Sequence, residues 1–287
     1  MKNQNFMSKT QPQKMECMEV WGGNQPADRE LTTTGLDIWV YSQPYAAAKS
    51  GGDVYYISSC SSGRITRLLL ADVSGHGQAV SKQADLLRQL MRRHINHVNP
   101  SSLVEGINSD FEAHSKTGGF ATAIIGTFFL PTSSLTLINA GHPNPLIFHG
   151  STGNWIPISH DRKSKSVRNF PLGIDTGQKY SGTKSKLKRE DLMICFTDGL
   201  LELNLADGSM LRETGLLKIL SKLDASDPGE LLRQLLDQLK QEQSDISSAD
   251  DVSIMLFRRN DSSVSLRDNI LAPFRALRHF FRKPESS

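Results

Sequence analysis

Four aspartate-bearing turns carry the residues that can do chemistry: Gly51-Gly52-Asp53, Asp72-Val73-Ser74-Gly75-His76-Gly77, Thr197-Asp198-Gly199 and Ala249-Asp250-Asp251. Each adjoins a short apolar run that reads as a β-strand. Carboxylates delivered by separate strand ends can meet at one point of a folded sheet, and hard cations such as Mg²⁺ or Mn²⁺ take oxygen ligands of this kind. The chemistry implied is metal-dependent hydrolysis, best suited to phosphate esters.

Each turn also has a plainer reading. Asp72 follows Leu68-Leu69-Leu70-Ala71 and precedes a helical pattern, so it can be a capping residue. Gly-Gly-Asp and Asp-Gly are common turn chemistry. Asp250-Asp251 can be a solvated acidic loop, although adjacent like charges at a strand start repel and a cation offsets that cost. The four together say more than any one alone. Two cations bridged by carboxylates acidify a shared water, and no nucleophilic side chain is then needed. In keeping with this, there is no Gly-x-Ser-x-Gly, Cys-x-x-Cys or His-Glu-x-x-His.

The elements that must position these turns follow from periodicity. Strands are expected at Leu36–Tyr41, Val54–Ile57, Ile65–Ala71, Ala121–Leu130, Leu135–Asn139, Leu146–Phe148, Trp155–Ile158, Leu192–Phe196 and Val252–Phe257. Val80, Ala84, Leu87 and Met91 mark one helix and Leu103, Ile107 and Phe111 a second, with Ser101 as its expected N-cap. Leu216 to Leu223 and Leu231 to Leu239 mark another pair, the latter introduced by Asp227-Pro228. Strands outnumber helices, and the helices come in pairs. Two sheets packed face to face and flanked by helical pairs suit this order better than a parallel βαβ sheet.

The bulk properties set bounds. The chain has 287 residues, 38% hydrophobic and 22% charged, which is ordinary for a globular protein with a sizeable core. A net charge of +3 is too small to argue for nucleic acid. Cys17, Cys60 and Cys195 are odd in number and scattered, which points to a reducing cytoplasm rather than a disulfide framework. The polar start lacks a signal-peptide pattern, and no apolar run reaches membrane-spanning length. Residues 1 to about 30 read as a largely flexible tail, with Trp21-Gly22-Gly23 as a local turn able to dock on the body. Near the other end, Ile270, Phe274, Leu277 and Phe281 share one helical face beside Arg275, Arg278, Arg282 and Lys283. Such a segment packs against its own domain, docks on a partner or makes a peripheral membrane contact.

In order and spacing, Gly51-Gly52-Asp53, Asp72 to Gly77, Asn139-Ala140-Gly141-His142-Pro143, Pro171-Leu172-Gly173, Thr197-Asp198-Gly199 and Asp250-Asp251-Val252-Ser253 resemble the metal-dependent protein phosphatases (PPM, type 2C superfamily), in their bacterial SpoIIE-like or RsbU-like branch. The resemblance implies an α+β fold, an αββα sandwich of two antiparallel sheets flanked by helical pairs. It implies a phosphatase domain over residues 35–259, between a flexible segment 1–34 and a basic amphipathic tail 260–287. A centre of two Mn²⁺ or Mg²⁺ ions is implied, bridged by Asp53 and Asp72, with the Val73 carbonyl, Asp198 and Asp250 as further ligands and Asp251 a close candidate. The Asn139–Pro143 turn, with Gly141 and His142, is implied to be a loop near the site. Two features depart from the broader superfamily. Its general-acid His position is Ser74 here, leaving His76 as the acid candidate, and its upstream phosphate-gripping Arg is absent around Gln43-Pro44-Tyr45.

The activity implied is hydrolysis of phosphoserine or phosphothreonine on a protein, with an anti-anti-sigma (STAS) regulator of a partner-switching circuit as substrate and with regulation through the N-terminal segment, a separate regulatory protein partner or the helical pair at 78–115. The rival readings are a degenerate relative that binds phosphorylated partners without turnover and a small-molecule phosphohydrolase.

Overall fold

The computed structural model describes residues 13–15, 20–60, 63–75, 78–115, 119–158, 169–242 and 250–262. In chain order the strands and helices are β1 Gln13–Lys14, β2 Val20–Gly23, β3 Ala27–Thr33, β4 Leu36–Gln43, β5 Asp53–Cys60, β6 Ile65–Val73, α1 Gln78–His94, α2 Pro100–His114, β7 Ala121–Phe129, β8 Ser134–Ala140, β9 Leu146–His149, β10 Asn154–Pro157, β11 Thr183–Lys186, β12 Leu192–Phe196, α3 Asp198–Leu201, α4 Arg212–Leu220, α5 Pro228–Glu242 and β13 Val252–Arg259. A seven-stranded sheet runs β1-β3-β4-β13-β12-β9-β10, and a six-stranded sheet runs β11-β8-β7-β6-β5-β2. Pairing is antiparallel except between the two-residue β1 and β3.

The central strands are apolar on both faces because each face has its own layer to meet. On β6, Leu68 and Leu70 point into the space between the sheets, and Leu69, Ala71 and Val73 pack under α1 and α2. On β13, Met255 and Phe257 join the inter-sheet core, and Ile254 and Leu256 pack under α4 and α5. The result is the expected four-layer helix–sheet–sheet–helix sandwich.

Two local expectations change. The α2 N-cap is Asn99, not Ser101: its Oδ1 accepts from the N–H groups of Ser101 and Ser102 at 2.8 and 3.4 Å. Pro100 then takes the first helical position, where a missing N–H costs nothing. The larger correction is at the N-terminus. The segment expected to be flexible contains β2, paired with β5, and β3, paired with β4. Leu31 and Thr33 of β3 are buried, Leu31 in the inter-sheet core. Trp21, expected in a turn, is a strand residue stacked on Tyr55 with ring centroids 4.8 Å apart. A Cβ on Gly22 would fall 2.5 Å from the Tyr55 carbonyl oxygen, so only glycine lets β2 lie against β5.

At the other boundary, Asn260 closes the β3–β4 turn. Its side chain accepts from the Gly35 N–H and donates to the Thr33 carbonyl, at 3.1 Å each. The amphipathic stretch from Ile270 to Phe281 lies outside the described residues. Among the described residues, no helix is long and apolar enough to cross a membrane.

Leu31→Ala tests the corrected boundary. Truncating a buried core leucine lowers the unfolding free energy by about 2–5 kcal/mol in chemical denaturation, whereas a residue in an unpacked leader leaves it unchanged.

Candidate metal centre

Strand pairing brings the first two carboxylates together. Asp53 opens β5, Asp72 lies near the end of β6, and the two are direct cross-strand partners. Asp53 is buried, and its Oδ2 accepts from the Thr197 hydroxyl at 2.8 Å. Thr197 follows β12 in the opposite sheet, and its Oγ1 also accepts from the Ser253 N–H of β13 at 2.9 Å. One buried hydroxyl thus joins Asp53 to the pair of strands that delivers Asp198 and Asp250. Behind it, the Ser253 and Ser42 hydroxyls meet at 2.8 Å.

Asp198 is the first residue of α3, and Asp250 stands two residues before the start of β13. The two turns touch. A Cβ on Gly199 would fall 2.1 Å from the Asp251 carbonyl oxygen, which accounts for glycine at this position. The adjacent aspartates 250 and 251 have different surroundings. Asp251 braces the loop before β5: Oδ1 accepts from the Tyr45 N–H at 2.6 Å and Oδ2 from the Gly52 N–H at 2.5 Å. Asp250 accepts, through Oδ1, from the N–H of its own neighbour Asp251 at 2.7 Å.

The electrostatics show that the carboxylates share one field. Asp72 is pushed up to about 7 by burial and then by Asp198, Asp250, Asp251 and Glu202. Asp53 is held well above the usual carboxylate range by burial, with Asp72 the largest charge acting on it. Asp250 is raised by burial and by Asp251 and Asp198. Groups from both sheets therefore oppose one another's ionisation. Among the described residues, no three His, Cys, Asp or Glu side chains close on a single point as a finished ligand shell. The donor set is nonetheless all oxygen, partly buried and destabilised by its own charge, and that chemistry fits a hard divalent cation.

Glu202 is a site residue that the sequence reading missed. It is raised by burial and by Asp198 and Asp250. The available signal was its spacing, four residues after Asp198 on a helical turn. Thr197 and Ser253 belong to the motifs, and the hydrogen bonds that give them a role span 144 and 56 residues.

The other expected residues fall as follows. The Val73 carbonyl lies beside Gly52, where a Cβ would come within 3.0 Å of it. Ser74, at the position of the superfamily's acid, instead ties the loop down: its N–H donates to the Phe120 carbonyl at 2.9 Å and its Oγ accepts from the Phe120 N–H at 3.1 Å. His76 lies outside the described residues. In the Asn139–Pro143 turn, Gly141 takes a positive φ of 72° close against Pro171. Asn139 clasps His142, accepting from its N–H at 2.8 Å and donating to its carbonyl at 2.9 Å. His142 is buried, and burial lowers its pKa to about 3, so the ring is a neutral packed group near neutral pH.

Two antiparallel sheets between helical layers, with an all-oxygen acidic centre at their edge, form the architecture of the PPM-type phosphatases. Residues 62–260 match the family model described as Stage II sporulation protein E (SpoIIE), and the chain belongs to that family. It is 24% identical over 225 residues to the phosphoserine phosphatase RsbU of Bacillus subtilis (strain 168), covering 78% of this chain and 63% of RsbU. The solved RsbU and RsbW domains of Rv1364c from Mycobacterium tuberculosis superpose with a TM-score of 0.65 at 19% identity, over 94% of this chain and 72% of that one. RsbX, solved in complex with magnesium, superposes with a TM-score of 0.60 at 15% identity, over 82% of this chain and 100% of that one.

The raised Asp72 makes the metal-free protein pH-sensitive. Folding holds on this carboxyl a proton that the unfolded chain releases near its ordinary value, so the stabilisation is complete below that value and is lost as pH rises towards 7. The melting temperature of metal-free protein therefore falls between about pH 4 and pH 7, and added Mg²⁺ restores it most strongly at the alkaline end. Scanning calorimetry across pH, with Asp72→Asn as the flattened control, checks this.

Proposed function

We propose that this chain is a metal-dependent serine/threonine protein phosphatase, with a STAS-type anti-anti-sigma regulator as its substrate class. The observation that carries the reading is the pairing of Asp53 with Asp72 on one sheet in the field of Asp198 and Asp250 from the other. Membership of the SpoIIE family supports it, as do the phosphoserine phosphatase activity named for RsbU and the magnesium bound by RsbX. The joining of RsbU and RsbW domains in one mycobacterial chain supports a partner-switching circuit with a regulatory protein partner.

In this reading Asp53, Asp72, the Val73 carbonyl, Asp198 and Asp250 hold two Mn²⁺ or Mg²⁺ ions. When bound, such ions supply a hydroxide nucleophile at neutral pH and neutralise charge on the phosphoryl group. The protein's own contribution is placement. Thr197 fixes Asp53 by its hydroxyl, and Asp251 fixes the loop that presents it. Glu202 adds negative charge at the rim, beside Asp198 and Asp250. The buried, unpaired thiol of Cys195 fits a reducing cytoplasm.

The test is hydrolysis of p-nitrophenyl phosphate with Mn²⁺. Asp72→Asn and Asp250→Asn each lose more than ~100-fold, while Asp251→Asn, which acts through the loop, loses roughly 10–100-fold. Equal rates in all variants would remove the hydrolase reading. Side-by-side rates on a phosphorylated STAS protein, a phosphoserine peptide and nucleotides then set the substrate class.

A further inference from the structure

Behind the carboxylates lies a buried group that the reaction itself does not use. The His142 Nδ1 stands 2.7 Å from the Thr122 hydroxyl. Thr122 is the β7 residue in register with Asp72 of β6, so this bond attaches the ring to the strand backing that carboxylate. On its other side the ring faces the backbone of Phe196, the last residue of β12. Phe196 leads directly into Thr197, which holds Asp53, and then into Asp198. His142 therefore stands between the sheet that carries Asp53 and Asp72 and the sheet that leads into Asp198.

The ring has little freedom. Asn139 clasps its backbone on both sides, and the Asn139 carbonyl accepts from the Asn169 side chain at 3.1 Å. The residue is only 6% exposed, yet Nε2 has no hydrogen-bond partner of good geometry. A neutral imidazole carries one proton. If the Thr122 hydroxyl donates to Nδ1, the proton sits on Nε2 and points towards the Phe196 carbonyl. A buried donor left without an acceptor is costly, so the ring favours any small approach of that backbone. Neutrality also suits the position, because a strut between two repelling groups of carboxylates then adds no charge of its own.

We propose that His142 is the positioning residue that couples the two halves of the metal centre, through Thr122 towards Asp72 and through the Phe196 backbone towards Asp198. The inference rests on the metal-dependent reading above. Ligand shells are oriented by the hydrogen bonds behind them, and losing such a partner typically weakens metal binding about 10–100-fold.

The experiment is isothermal titration of the full chain with Mg²⁺ alone, paired with the melting temperature of the metal-free protein. Thr122→Val removes the hydroxyl and keeps the shape, Thr122→Ser restores the hydroxyl, and His142→Ala removes the ring. The expected result is Mg²⁺ affinity reduced about 10–100-fold in Thr122→Val and His142→Ala and recovered in Thr122→Ser. In ¹⁵N-histidine spectra of wild type, Mg²⁺ should bring out a protected Nε2–H resonance. Mg²⁺ affinity within twofold of wild type in a folded Thr122→Val protein overturns the proposal, as does a loss confined to the metal-free melting temperature. Should the wild-type chain bind neither Mg²⁺ nor Mn²⁺, the phosphatase reading falls and this coupling with it. Should wild type bind metal and hydrolyse ester while the variants match it, the coupling alone falls.

Discussion

Mutual repulsion among carboxylates from two different sheets is the constraint around which the rest of the structure is arranged. Left to themselves, Asp53, Asp72 and Asp250 would separate or stay protonated, and burial makes their ionisation harder still. A sandwich edge is one of the few places where such groups can be held close, because each is anchored by a strand whose register is set by a core on both faces. The Thr197 hydroxyl is the most direct link across the gap, accepting from β13 while donating to Asp53. A neutral hydroxyl does this without adding a charge to an already acidic site.

The bracing spreads well beyond the motif residues. Gly51 donates its N–H to the Asn24 carbonyl at 2.8 Å, and the Asn24 side chain donates to the Gly51 carbonyl and the Ser81 hydroxyl at 3.1 Å each. The N-terminal strand β2 therefore supports the loop that presents Asp53. Asp251 supports the same loop from the opposite sheet, and its carboxylate fills the space where Cβ of Gly51 would stand. The paired glycines are thus a packing requirement of the site as much as a turn signal.

Much of this was legible in the sequence because strand ends and aspartate turns leave local traces. The apolar runs at 65–71, 192–196 and 252–257 gave their strands directly, since both faces of those strands are buried. Strand β3 was hidden by Asp28, Arg29 and Glu30, none of them buried, so that Leu31 and Thr33 alone show the buried alternation. Strand β2 was hidden by its two glycines, of which Gly22 serves the close approach to β5, a reason invisible without the partner. The different duties of Asp250 and Asp251 could not be read either, because they depend on which backbone N–H groups from residues 45 and 52 reach one carboxylate.

The helical layer has a direct mechanical hold on the centre. Val80, in the first turn of α1, packs where Cβ atoms of Gly52 and Gly75 would lie, at 2.8 and 3.0 Å, so one side chain rests on both the Asp53 and the Asp72 turns. Ser81 adds hydrogen bonds to Asn24 and to Ser50. From α2, the buried Asn108 accepts from the Gly173 N–H at 2.8 Å and donates to the Asp175 carbonyl at 2.7 Å, fastening the loop whose Leu172 pairs with Ala121 beside Ser74. A shift of the α1–α2 pair relative to its sheet therefore cannot leave the carboxylate turns where they were. Repulsion between those carboxylates opposes their closer approach, so the packing of Val80 on both turns helps to set their spacing.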